Sequence, residues 1–192
     1  MYAGAILLLT GMAHAQEQKI DLMFGAGTLY SFKSNSASQA FIPPPEKGGV
    51  YPGAGIQIGI QGPFSFAAEG SFRYHRDLYN GFQEYRPILY DVNAVYSSHV
   101  AKKIPVDVMA GIGGQTLLFY NVFGSCPNGG CSVSVNSNHF LFHTGVGLRY
   151  YFFHQMFVRG EAHWYIIPNN YQFHSDNVFR VAASVGYTFH RK

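Results

Sequence analysis

Acidic and basic side chains recur in this sequence at positions that extended chain would turn to one side. The acids are Asp21, Glu69, Asp91, Asp107 and Glu161, and the bases are Arg73, Arg149, Arg159 and Arg180. Two chemistries are open to such a set. Paired carboxylates can share a proton and act as general acid and base. Carboxylates set against guanidiniums form ion pairs, which is how buried charge is tolerated. Histidines His75, His99, His139, His143 and His163 share the same stripe. They come from different strands and heights, and no compact ligand spacing of the HxxxH kind occurs, so hydrogen bonding is expected of them rather than metal ligation. Cys126 and Cys131 bracket Pro-Asn-Gly-Gly, a turn, and are expected to form a disulfide. No phosphate-cradling loop and no Ser-His-Asp spacing is legible.

The stretch that positions these groups best runs from Leu141 to Ile167. Phe142, Thr144, Val146, Leu148 and Tyr150 alternate with Leu141, His143, Gly145, Gly147 and Arg149. After a turn near residues 153–155, Val158, Gly160, Ala162, Trp164 and Ile166 alternate with Arg159, Glu161, His163 and Tyr165. A period of two over consecutive runs predicts paired antiparallel strands. One face is apolar and aromatic, and the other carries Gly, Arg, Glu and His. That arrangement fits a wall with lipid outside and a polar interior.

The same alternation predicts six further strands, over 19–32, 50–60, 64–75, 87–100, 105–120 and 177–189. Their connections alternate in length. Those at 33–49, 76–86, 121–138 and 168–176 are long, whereas Gln61-Gly62-Pro63, residues 101–104 and residues 153–155 are short. The prediction is an all-β fold, an eight-stranded antiparallel up-and-down transmembrane β-barrel with long loops at one rim. Aromatics gather at both ends of the apolar stripe. Phe32, Tyr74, Tyr90, Tyr120, Phe140, Trp164 and Phe179 lie toward the long loops; Phe64, Phe66, Tyr96, Tyr150, Tyr187 and Phe189 lie toward the short turns. A spanning barrel needs such a belt at each membrane interface.

Composition agrees. Charged residues make up 12% of the 192, against about 25% in an average soluble domain. Aromatics reach 17%, and there are 22 glycines. The net charge of +3 contains no Lys/Arg run, which gives nucleic-acid binding no support. Residues 1–15 read as an export signal, an apolar stretch over 5–9 leading to Ala13-His14-Ala15, with the barrel domain over 16–192. No run of about 18 apolar residues is present, so no transmembrane helix is expected.

The segments Gly145-Val146-Gly147-Leu148-Arg149-Tyr150-Tyr151, Phe157-Val158-Arg159-Gly160-Glu161-Ala162 and Val185-Gly186-Tyr187-Thr188-Phe189 carry a resemblance. With them the chain, from Lys19 to Phe189, resembles the small outer-membrane β-barrels of the outer membrane protein A/X type. The resemblance implies a bacterial outer-membrane location, contact with lipid and lipopolysaccharide, and no cofactor. It also implies that Gly186, Tyr187 and Phe189 form a terminal signal read by the outer-membrane assembly machinery, although His190-Arg191-Lys192 follow here. An enzymatic branch of eight-stranded lipid A deacylases has a His with a Ser two residues on. Here His163-Trp164-Tyr165 puts Tyr at the nucleophile position, so the activated hydroxyl of that branch is missing.

An eight-stranded barrel is just wide enough to be filled by its own side chains. The expectation is therefore a non-enzymatic barrel plugged by a salt-bridge network, anchoring long loops that contact an extracellular partner. Two alternatives stay open: a narrow gated channel for small solutes, and a soluble lipocalin-like carrier with its apolar stripe inward.

Overall fold

A computed structural model describes residues 18–32, 46–101, 103–120, 134–173 and 175–191. The strands are β1 (Gln18–Ser31), β2 (Tyr51–Gln61), β3 (Phe64–Phe72), β4 (Asp77–Tyr79), β5 (Gln83–Ala101), β6 (Ile104–Tyr120), β7 (Ser134–Phe153), β8 (Met156–Ile166) and β9 (Asn177–Arg191). Sequential neighbours pair antiparallel, except that β3 pairs with β5 rather than with β4, and β1 pairs with β9. Eight strands therefore form a closed ring, and the short β4 is hydrogen-bonded to β5 beyond the end of β3. Closure leaves no strand edge within the ring, the condition for crossing lipid with strands.

The ring is sealed by the first and last strands, with Ile20 opposite Phe189 and Tyr30 opposite Phe179. The alternating stripe faces outward as the sequence predicts. Phe24 is 66% exposed and its neighbour Met23 only 3%. Both aromatic belts stand on the outer wall, stiffened by lateral pairs such as Phe64 with Tyr96 (ring centroids 5.4 Å apart). An outward apolar face removes the lipocalin-like alternative, whose apolar stripe must line a ligand cavity.

Two segments expected as loop are strand. The 76–86 connection contains β4 and the start of β5, joined through Asn80 (φ 52°) and Gly81 (φ 80°). Two successive left-handed residues make the tight turn that suits a twisted hairpin, and Asn-Gly is its strongest sequence signal. Residues 134–138 likewise belong to β7, pairing with Thr116–Tyr120 of β6. Ser, Asn and Val alternate there without an apolar stripe because the ladder has risen beyond the expected aromatic belt, where neither face needs to meet lipid. Strands β5, β6 and β7 thus form a tall wall on one side of the long-loop rim. Its inner face packs Tyr79, Tyr85, Leu117, Phe119 and Phe173 into a small apolar cluster.

Candidate functional site

The interior is built in layers. Nearest the short turns, β7 turns Arg149 inward, where its guanidinium grips the carboxylate of Asp107 with two donors, Nε to Oδ2 (2.6 Å) and Nη2 to Oδ1 (2.7 Å). Its Nη1 donates to Asp21 Oδ2 across the lumen (2.5 Å), and Ser97 Oγ donates to Asp107 Oδ1 (2.6 Å). A planar fork meeting a carboxylate bidentately is the strongest ion-pair geometry proteins use. Below it lies a vestibule of about 320 Å³, lined by Lys19, Asp21, Gln57, Ser97, His99 and Arg149 among others.

The next layer is centred on Arg159 of β8, which is 1% exposed. Its Nη1 donates to Glu69 Oε1 (3.2 Å), and its Nε lies 3.1 Å from Glu161 Oε2 and 3.8 Å from Asp107 Oδ2. The sulfurs of Met23 and Met109 flank the same guanidinium (2.9 and 3.4 Å). Inward glycines make the room. A Cβ on Gly147 would sit 2.9 Å from Arg159 Nε, and one on Gly55 would sit 3.1 Å from Glu69 Cγ. Glycine costs a strand some stability, but here a larger residue would displace a charged group from its partner.

Above Arg159, His143 and His163 stack (centroids 4.8 Å apart, planes 20° from parallel), with His143 Nε2 2.6 Å from His163 Nδ1. His143 Nδ1 lies 2.5 Å from Asn93 Oδ1, and Asn93 Nδ2 donates to Asp91 Oδ1. Tyr165 stacks on both imidazoles and aims its hydroxyl at Asp91 and Arg180 instead (both 3.4 Å). The sequence places these histidines at separate heights. The register still brings two of them into contact, because with Gly145 opposite His163 and Tyr165 opposite His143 they are diagonal neighbours on adjacent strands.

The interior is also less uniformly polar than the alternating stripe predicts. Leu29, Tyr51, Leu89, Leu141, Tyr165, Ile167 and Val178 form an apolar layer across the barrel above the histidines. Over that layer residues 46–49, the end of the first long connection, lie in the mouth. Glu46 is 1% exposed, accepting hydrogen bonds from Gln115 Nε2 (2.8 Å) and Tyr51 Oη (3.3 Å). Its carbonyl accepts from Ser31 N (2.8 Å) and Ser31 Oγ (2.9 Å). Burial away from water pushes the Glu46 carboxyl up to about 7, against the pull of those hydrogen bonds and of Arg73.

Of the expected network, Asp21, Asp107 and Arg149 close one cluster, and Glu69, Arg159 and Glu161 another. Asp91 joins through Asn93 and Tyr165, and Arg180 through Tyr165 alone among hydrogen bonds of the described residues. Arg73 stands apart at the rim, paired with Asp77 of β4 at 2.6 Å. Gly186 packs inward against the ring of Phe157, while Tyr187 and Phe189 pair on the outer wall (centroids 4.7 Å apart). Glu46 is the participant the alternating pattern cannot find, because it lies in a connection. Cys126, Cys131 and the 1–15 segment lie outside the described residues.

Comparison with known proteins agrees with this architecture. Residues 3–189 match a family described as outer membrane protein beta-barrel domain. Similar solved structures include Ail, the attachment invasion locus protein of Yersinia pestis, crystallised with the heparin analogue sucrose octasulfate. It shares 11% identity at a TM-score of 0.60, over 91% of this chain and 100% of that one. The N-terminal barrel of Pseudomonas aeruginosa OprF shares 15% identity (TM-score 0.59, covering 91% and 98%). OprG of the same organism shares 10% (TM-score 0.60, covering 92% and 98%). No curated protein matches the sequence.

Proposed function

Since the chain belongs to the outer membrane protein beta-barrel domain family and lies in the outer membrane, we propose that it is a plugged anchor displaying its long loops outside the cell. The observation that carries this reading is the filled lumen. Arg149 bridges Asp21 on β1 and Asp107 on β6, so one guanidinium spans the bore. Above it the apolar layer and Glu46 occupy the path to the long-loop rim. A hydrated ion would have to break a bidentate buried pair to pass, which is costly in a low dielectric. The reading is non-enzymatic because arginines engage the inward carboxylates, Arg149 holding Asp21 and Asp107 and Arg159 holding Glu69.

The loops would then carry the interactions. The tall β5–β7 wall and the connections around it offer a surface for an extracellular partner, and lipopolysaccharide would meet the outer aromatic belt. Gly186, Tyr187 and Phe189, on the strand that closes the ring, are placed to engage the assembly machinery. The 1–15 segment and the Cys126/Cys131 pair fit export to an oxidising compartment.

Conductance across a planar lipid bilayer tests the plug. Purified protein is expected to give no steady single-channel steps, and Arg149→Ala, which removes the bridge, to raise the conductance. Regular steps from the unaltered protein would replace the anchor with a narrow channel.

A further inference from the structure

The histidine pair has a proton arrangement that the hydrogen bonds dictate. Asp91 accepts from Asn93 Nδ2, so the amide oxygen of Asn93 must be the atom facing His143. An amide oxygen only accepts, so His143 Nδ1 carries the hydrogen. In a neutral ring its Nε2 is then an acceptor, and the 2.6 Å contact requires His163 Nδ1 to be the donor. His163 Nε2 is left as a bare lone pair. It is fully buried, has no hydrogen-bond partner, and lies 3.2 Å from Glu161 Oε1, itself a lone-pair donor. A bare imidazole nitrogen beside a carboxylate oxygen in a buried site, with no hydrogen bond joining them, is a pair of lone-pair donors that one cation can share.

A third donor stands at the same point. One ligand atom each from His163, Glu161 and Glu69 lies within 4.8 Å of the others. Arg159 pairs with both carboxylates, by Nη1 to Glu69 Oε1 and by Nε 3.1 Å from Glu161 Oε2, and their second oxygens accept no hydrogen bond among the described residues. A space of about 20 Å³ abuts Glu69 and Glu161, enough for one water. The charge count agrees. Asp21, Glu69, Asp91, Asp107 and Glu161 face Arg149, Arg159 and Arg180, so the spanning interior carries two more acids than bases.

We infer that Glu69, Glu161 and His163 form a binding site for one borderline divalent cation of the zinc type inside the barrel. One imidazole nitrogen and two carboxylate oxygens, completed by water, is a donor set such an ion takes. His143 and Asn93 are positioning residues. They fix the His163 tautomer through its far nitrogen, as the outer partners of metal-bound histidines do. The two positive charges of the ion offset the excess of acids.

The test uses the full chain refolded into detergent micelles with zinc sulfate, then passed into metal-free buffer. Heat-dependent migration in SDS checks that each variant is folded. Elemental analysis is expected to find one zinc per folded barrel. Glu161→Gln and His163→Gln should retain under a tenth of it, while His154→Gln, in an exposed turn, should retain it all. Asn93→Ala touches no ligand and should weaken binding about 10- to 100-fold. Nitrogen NMR should show His163 bound to metal through Nε2. Zinc-free folded barrels with a doubly protonated His163 would make the cation a proton and overturn the site. Undiminished zinc in folded His163→Gln would place the metal elsewhere, with the same consequence.

Discussion

Raising the pH should release residues 46–48 from their docking site in the long-loop mouth, and the reason is Glu46. In the docked state its carboxyl is pushed up to about 7 from an ordinary 4.5, with burial as the largest cause. The groups facing it are Gln115 and Tyr51, which donate to it, Arg73, which favours its charge, and Asp77, which opposes it. A raised acid pKa means the docked state binds more protons than the released one. Docking is therefore strongest below the ordinary carboxyl range and weakens as pH climbs through about 7. The full difference is about 3 kcal/mol, or roughly two powers of ten in the docking equilibrium. Amide exchange reads it directly, since Ser31 N donates to Glu46 O and Gly48 N to Leu29 O (2.8 and 2.7 Å). Corrected for intrinsic rates, protection at Ser31 and Gly48 should fall about a hundredfold between pH 5 and pH 9, and should stay flat in Glu46→Gln. Equal protection at both pH values, or the same fall in the glutamine variant, would refute the reasoning.

Three substitutions separate the outer wall from the inner one. Val146 stands on the outer wall midway between Phe142 and Tyr150 of β7, so Val146→Arg should cost about 2–4 kcal/mol in urea unfolding from lipid vesicles. Gly186→Ala places a Cβ against the ring of Phe157 and should cost about 1–3 kcal/mol, whereas Gly160→Ala meets open space on the outer wall and should be neutral in the same assay.

The barrel was legible in the sequence because lipid imposes the period. Every strand that crosses must present Phe24, Ile56, Val92, Val146 or their equivalents outward, and that requirement repeats at alternate residues without regard to what fills the inside. Where lipid ends, the signal ends too. Residues 134–138 and 77–79 are strand by hydrogen bonding alone, and only Asn80-Gly81 announces one of these extensions in sequence. The same logic explains the interior. Alternation identifies Leu89 and Asp91 as facing the same side, but not that Leu89 joins an apolar layer while Asp91 joins the charged one below it.

What decides the interior is register, and register couples residues far apart in the chain. Arg149 meets Asp21 over 128 positions, and Arg159 meets Glu69 over 90. A one-residue slip would turn each strand's charged stripe into lipid and its aromatic stripe into the bore, so the apolar pattern fixes the pairing strongly. Once it is fixed, His143 and His163 have no freedom to sit apart, because β7 and β8 set Tyr165 and Gly145 opposite them and make the two histidines diagonal neighbours. The inward glycines follow from the same constraint. With the strands held at ladder spacing, the Arg159 and Glu69 side chains lie over the neighbouring strand where it has no Cβ, at Gly147 and Gly55. Some of the glycine in the composition is thus tied to the charged plug: Gly147 and Gly55 leave space beside Arg159 and Glu69 that a Cβ would fill.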